Sequence, residues 1–544
     1  MPQLPVGNQD FKSIRDNGFY YVDKSMLIAQ ILDGNSEEVS LFTRPRRFGK
    51  SLNLSMLDAF LNMDYAGNRW FEGLEISRHR EYDEHMNAYP VVKLDFKGLD
   101  LNNTPAFKDS VRRRIRPVVE RHEYLSESER IPTGTRASIA EIARTANPDF
   151  DPVEALEQLV FALRAHHDRK VVILIDEYDD PLNSSYGTPV AEGVRTYMSR
   201  LLTSVLKGNE NVKTAVITGV MQIAKESIFS GLNNLDVNNI LSCRSDEMFG
   251  FTDEEVKRIC TDYGHPERYA QAKEWYDGYR FGDADVYNPW SVLKYVKEGF
   301  RPDTYWASTS GNDIISTLLD NADGRIYEDL EILARGGSVG ADIDASVVYS
   351  DLKNCRETIY SVMATAGYLK VIRDGADTVV ALPDRELFSV FAKEILRRAA
   401  PKSGSTRAFI DATLCGDVDT MTRLLHRMIL ETLGIRMLGR EIGYHAFLTG
   451  MLMSAAGRYE ITADHESGDG FHDIRMRRIR GDTPNVVIEV KRATSPESLR
   501  KEAESALSQI HERRYYEGMH GWTVLYGIAF HGKTPEVVCE SLKI

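Results

Sequence analysis

Leu41-Phe-Thr-Arg-Pro-Arg-Arg-Phe-Gly-Lys-Ser51 decides how the first half of this chain is read. It joins the β-branched run Val39-Ser-Leu-Phe-Thr43 to a segment in which Leu52, Met56 and Phe60 recur at helical spacing. Gly49, Lys50 and Ser51 match the end of the phosphate-binding pattern Gly-x4-Gly-Lys-Ser/Thr, while Arg44 replaces its first glycine. A helix opening at Lys50 would aim free amide N–H groups and its positive dipole end at phosphate oxygens. Lys50 would then reach the β- and γ-phosphates, and the Ser51 hydroxyl would ligate Mg2+. A basic turn before a helix is the plain alternative, and the loop alone does not separate the two.

A second motif tips the balance. Val171-Val-Ile-Leu-Ile-Asp-Glu177 has the pattern of a buried strand ending in two carboxylates. Strand alternation puts Asp176 and Glu177 on opposite faces. Asp176 can hold Mg2+ through water while Glu177 polarises the attacking water. Acidic pairs at strand ends are common, but both motifs in order, each ending a strand, are far rarer. The expectation is an ATP site with Mg2+, its loop made of Arg44, Pro45, Arg46, Arg47, Phe48, Gly49, Lys50 and Ser51. The strand Val91–Phe96 fits the subclass in which another strand lies between the two motif strands. Thr218 ends the next run and is a candidate sensor of the γ-phosphate; Asp95 has the same place on its own strand. Near-continuous apolar runs alternating with helices make residues 1–285 an α/β domain with a mostly parallel sheet.

Residues 286–434 read mainly as helix. Residues 435–544 return to mixed α/β character and carry a second constellation: Asp473, then Glu489-Val-Lys491 on a strand. Period two puts Glu489 and Lys491 on one face, and Asp473 converges there if its strand is the neighbour. Two carboxylates and a backbone carbonyl suit Mg2+. Lys491 would orient or help deprotonate the attacking water. Glu441, on a preceding helix, could extend the metal shell, and Gln509, on the following helix, could brace the site or touch the phosphodiester. A solvated Glu–Lys pair on an edge strand is the bland alternative. His465 and His472 read as surface histidines rather than zinc ligands.

The whole chain has 544 residues and a net charge of −14, so it is no general polyanion binder, and any nucleic-acid contact needs a local basic face. One such stretch runs from Arg475 to Arg514 and holds ten basic residues. The five cysteines are scattered without a CxxC pair, which excludes a disulfide scaffold or cysteine zinc site and fits a reducing compartment. No leader pattern or membrane-length apolar run is visible, so a cytoplasmic location without membrane contact is expected.

At these residues the chain resembles a bacterial and archaeal family that joins an AAA-ATPase-like domain to a C-terminal PD-(D/E)XK nuclease-superfamily domain. Tyr21-Val-Asp-Lys24, Arg44 to Lys50, Ile217-Thr-Gly-Val220, Ile228 to Asn234, Phe249-Gly-Phe-Thr252, Trp275 to Tyr279 and Tyr287-Asn-Pro-Trp-Ser291 are similar to its ATPase signatures. Glu441 to His445, Glu466 to Gly468, Ile488-Glu-Val-Lys491, Ala506 to Ile510 and Tyr526 to Phe530 are similar to its nuclease part. The family pattern itself carries arginine at the Arg44 position. Phe471 departs from it, standing where the nuclease pattern has arginine. The resemblance implies a P-loop sheet of the ASCE type over 1–285, a helical lid or linker over 286–434, and a restriction-endonuclease-like α/β domain over 435–544, with ATP and Mg2+ as cofactors.

The leading functional expectation is an ATPase whose nucleotide state controls a Mg2+-dependent nuclease acting on nucleic acid, DNA foremost. The alternative is a nucleotide-dependent scaffold or defence-type sensor whose nuclease-like domain binds nucleic acid or protein without cutting. A homo-oligomer is a further expectation, because many such ATPases take an arginine from a neighbour; Arg195, Arg200 and Arg244 are the candidates.

Overall fold

The computed structural model describes the chain outside residues 34–38, 145–146, 223–233, 307–325, 327–328, 330–331, 334–335, 347–355, 375–376, 389–404, 433–440, 453–454, 456–457, 468–469 and 480. Side chains at 374, 405–406, 430–432, 441–443, 445–446, 450, 463–467 and 470–472 also fall outside it. The chain divides into two compact units, residues 1–322 with 329–388 and residues 323–328 with 389–544.

The first unit is built on five parallel strands: β1 (Val39–Thr43), β2 (Val91–Asp95), β3 (Val171–Asp176), β4 (Val212–Gly219) and β5 (Leu235–Asn238), in the order β2-β3-β4-β1-β5. Every residue of β1 and β3 is buried, as a parallel sheet covered on both faces requires. One core joins Leu41, Ile173, Ile175, Ala215 and Ile217 to the apolar faces of the helices Thr104–Glu120, Pro152–His167 and Ala191–Leu206. The strand between β1 and β3 is β4; β2 lies outside β3 at the sheet edge, which corrects the place expected for Val91–Phe96.

Beyond this sheet lie a hairpin, β6 (Tyr279–Phe281) with β7 (Ala284–Val286), and a three-stranded sheet of β8 (Ser338–Gly340), β9 (Lys370–Asp374) and β10 (Asp377–Ala381). The last three of these strands interrupt a stretch whose pattern reads mainly as helix. They are short, and their apolar residues are too few to set a period of two. Residues 286–434 therefore form no unit of their own: they are shared between the two.

The second unit is a mixed sheet of β11 (Tyr459–Ser467), β12 (Gly470–Arg478), β13 (Asn485–Arg492), β14 (Trp522–His531) and β15 (Thr534–Lys543), in that order. Only β13 and β14 run parallel. Ile488 and Val490 turn to one face, in a core with Phe409, Leu425, Tyr444 and Phe447 from three helices. Val487 and Ala493 turn to the other, beneath the helix Leu499–Glu512. That helix lies so close to β14 that a Cβ on Gly527 would sit 2.0 Å from the Ala503 carbonyl oxygen and 2.6 Å from the Leu507 nitrogen. Both are backbone atoms, so relief means moving the helix. Gly527→Ala is expected to cost about 3 kcal/mol of stability, read as a lower urea midpoint for the second unit.

Candidate active sites

The turn after β1 is shaped by two residues with positive φ, Arg47 at 72° and Gly49 at 84°. Gly49 then caps the helix Lys50–Leu61. Asn53 is the first residue whose amide bonds back into this helix, to Gly49 O at 2.9 Å, so the amides of Lys50, Ser51 and Leu52 remain at its open end. Lys50 is buried, and its Nζ donates to the carbonyls of Arg44 (2.9 Å) and Pro45 (3.0 Å). Burial lowers its pKa, against the opposing pull of Glu177, Asp179 and Asp176.

Asp176 ends β3 beside Thr218 of β4, and the Thr218 hydroxyl donates to its Oδ1. The same oxygen accepts from the Glu177 amide at 3.1 Å. Glu177 has a φ of 49°, a left-handed turn that costs a non-glycine residue about 1 kcal/mol or more. Its side chain lines a cavity of about 230 Å3 in front of the helix, with Arg46, Arg47, Gly49, Lys50 and Ser51. Lys97, Asp180 and Trp290 also line it, and sequence reasoning named none of the three as a site residue. Trp290 had a signal in Tyr287-Asn-Pro-Trp-Ser291; Lys97 had none. Four cations face two carboxylates here at a helix N-terminus, a donor set that fits a triphosphate with its Mg2+.

Arg44, Pro45 and Phe48 do not line the cavity, which corrects their reading as phosphate contacts. Arg44 is fully buried and points at β5, donating to Thr43 O (2.9 Å), Asn238 O (3.0 Å) and Asn238 Oδ1 (2.6 Å). It lies over the rings of Phe249 and Phe281, and burial drops its pKa to about 9. Pro45 packs against Gly367, and Phe48 against Tyr279 and Phe281. The rest of the loop is clasped from the same side: Trp306 Nε1 donates to Arg46 O (3.2 Å), and the Arg47 guanidinium lies 4.2 Å from the Trp290 ring. Glu386, itself buried, accepts from the Ser291 hydroxyl at 2.6 Å and from the Trp306 amide. Asp95 stands level with Asp176 across β2 and β3 but accepts from its own neighbour, the Lys97 amide. Arg195, Arg200 and Arg244 are paired within the chain to Glu192, Asp151 and Asp236.

Asp179 is a further residue the sequence did not single out. It is fully buried and ties the residues after β4 to the Glu177 turn, its Oδ2 accepting from Val220 N (3.0 Å), Met221 N (2.9 Å) and Asn183 Nδ2 (2.8 Å). Burial, then the Glu177 charge, raises its pKa to about 6. A raised folded pKa means the unfolded chain releases this proton first, so stability falls as pH rises from about 4 to about 6. Asp179→Asn keeps an acceptor for the amides and should flatten that fall. Urea midpoints at both ends of the window test it; equal falls in both proteins would assign the loss elsewhere.

In the second unit, Glu489 and Lys491 share the face beneath the Leu499–Glu512 helix. Gln509 Nε2 donates to Glu489 Oε1, and Lys491 Nζ donates to Ser505 Oγ at 3.0 Å, one helical turn earlier. The β12–β13 pairing runs from Met476–Val486 to Ile474–Ile488. Beyond it the Asp473 side chain takes over, its Oδ2 accepting from Val490 N at 2.7 Å. Antiparallel pairing puts Asp473 on the Glu489 face, since Ile474 and Ile488 share the other. Asp473, Glu489, Lys491 and Gln509 are thus brought together. Two carboxylates and the strand carbonyls are oxygen donors of the kind Mg2+ takes. Among the described residues no group of three or more His, Cys, Asp or Glu gathers for a metal. Glu441 opens the helix Glu441–Leu452, and its side chain lies outside the described residues, as do those of His465, Phe471 and His472. Residues 228–233 of the expected ATPase signatures lie outside them as well. Among the described residues no helix is long and apolar enough to cross a membrane.

Fold and sites together define a P-loop-type α/β protein carrying a nuclease-like domain. Residues 5–229 match a family described as predicted AAA-ATPase, and residues 439–540 match the PD-(D/E)XK nuclease superfamily. The chain joins these two domain types, as its motifs imply. The "Uncharacterized protein in vnfD 5'region" of Azotobacter chroococcum mcd 1 is 29% identical over 321 residues, covering 58% of this chain. The chain spans 56% of that relative's length. Among solved structures, the Aeropyrum pernix ORC2 protein in ADPNP-ADP complexes is 10% identical, with 72% of this chain and 95% of that one covered. Its TM-score is 0.24, too low to carry an argument.

Proposed function

We propose that the first unit binds and hydrolyses ATP with Mg2+, and that its nucleotide state governs phosphodiester cleavage of nucleic acid, DNA foremost, by residues 435–544. The observation that carries this reading is the meeting of Lys50, Ser51 and Glu177 on one cavity, with Asp176, the residue before Glu177, held by the Thr218 hydroxyl. On nucleotide binding, Lys50 exchanges its two loop carbonyls for phosphate oxygens, and the free amides of residues 50–52 face the same charge. Glu177 polarises the water that attacks the terminal phosphorus. Bound Mg2+ would offset the charge that develops on the phosphoryl oxygens, held by Ser51 and, through water, Asp176. In the second unit Asp473 and Glu489 would hold a divalent ion that activates the attacking water, Gln509 braces Glu489, and Lys491 would orient that water.

Metal-dependent cleavage of plasmid, single-stranded DNA and RNA, run across ATP concentrations, tests the coupling. Cleavage should change with ATP in the parent chain and lose that dependence in Lys50→Ala. An identical ATP response in both sinks the coupling. Binding without cutting under every metal condition favours the scaffold or sensor reading.

A further inference from the structure

We propose that the open trough along the outer edge of β2 is a second nucleic-acid contact, gripping the phosphate backbone with residues of the first unit. The inference deepens the nuclease reading, from which it takes the class of partner.

The trough has a volume of about 670 Å3 and lies between the edge strand and the helix Thr104–Glu120. Lys93, Arg113, Arg114 and Arg121 line it, against Asp95 and Asp100. Both carboxylates already serve their own turns, accepting from the amides of Lys97 and Asn102. The arginines of this helix divide by task. Arg112 and Arg116 hold the fold, donating to the carbonyls of Phe150, Ile142 and Asn147. Arg113 is mostly exposed and forms a surface ion pair with Asp109 of its own helix. The side chains of Lys93 and Arg121 make no hydrogen bond or salt bridge with the described residues.

Arg114 and Arg121 stand seven positions apart on one helix face, so their rows are separated by about 10 Å, the rise of about three nucleotides along one strand. In a chain of net charge −14, this trough is a local basic face of the kind a polyanion requires.

The other occupant to weigh is an acidic peptide added as a strand. The β2–β3 ladder uses Pro90 O and Phe96 N, so Val91, Lys93 and Asp95 turn their backbone groups outward. Lysine in the middle of an edge strand opposes strand addition, and Arg114 already covers the next carbonyl, Lys97 O, at 2.6 Å. The exposed cations favour phosphate.

The test uses the full chain and fluorescence anisotropy with labelled duplex and single-stranded DNA in EDTA, where nothing is cut. The variant is Lys93→Ala/Arg113→Ala/Arg121→Ala. The control, Arg69→Ala/Arg78→Ala/Arg80→Ala, removes the same charge from local surface pairs. Urea midpoints establish that both fold. The trough variant should bind about tenfold or more weakly, its salt slope on duplex DNA falling by about 0.9 for each phosphate no longer neutralised. The control should stay within about twofold of the parent chain. Equal weakening in both variants overturns the proposal, as does unchanged DNA binding with loss of labelled polyglutamate binding. If no chain cuts when Mg2+ is restored yet the trough variant loses DNA, the trough stands and the nuclease reading falls. If the trough variant binds and cuts like the parent, the trough alone falls.

Discussion

Lys50→Ala is expected to lower ATP turnover by about a hundredfold or more while the chain stays folded. The ammonium is the one buried cation of the cavity lining and stands at the open end of the Lys50–Leu61 helix. Its two hydrogen bonds in the structure are to loop carbonyls, so removal costs about 1–2 kcal/mol of stability. That is small against the transition-state charge left uncompensated. Phosphate release at saturating ATP, with a urea midpoint alongside, separates the two effects. Turnover within about threefold of the parent chain would take Lys50 out of the chemistry.

Asp473→Asn and Glu489→Gln should each reduce metal-dependent cleavage by about a hundredfold or more, with ATP turnover unchanged. Both substitutions keep the local hydrogen bonds. An asparagine oxygen can still accept from Val490 N, and a glutamine oxygen from Gln509. What disappears is the negative charge that holds a divalent ion. The readout is product formed per unit time at fixed Mg2+, repeated at raised Mg2+. Partial rescue at high metal marks lost ion affinity; cleavage at the parent rate at the lower Mg2+ concentration would refute the assignment.

Much of this was legible in the chain because the chemistry sits where periodicity is strongest. Although Glu177 falls one residue past β3, in a left-handed turn that strand alternation does not describe, β3 itself is a run of buried apolar residues ending in Asp176, so that carboxylate could be placed from pattern alone. The same holds for Glu489 and Lys491, whose spacing of two fixes a shared strand face. Loop side chains were less readable. Arg44 sits among basic residues and reads as a phosphate contact, yet it is spent on Asn238, more than 190 residues away in the chain. No local signal reports such a pairing. Lys97 and Asp179 escaped for the same reason: their place depends on which strands end together. The short strands after residue 286 were hidden because three to five residues cannot establish a period.

The clasp on the phosphate loop has a wider implication. Pro45, Arg46 and Arg47 are each touched by Gly367, Trp306 or Trp290, and Glu386 ties Trp306 to Ser291. Three residues later the polypeptide enters the other compact unit. In the proposed coupling, a triphosphate that shifts this turn would be felt at Glu386 through Trp306, three residues before the boundary.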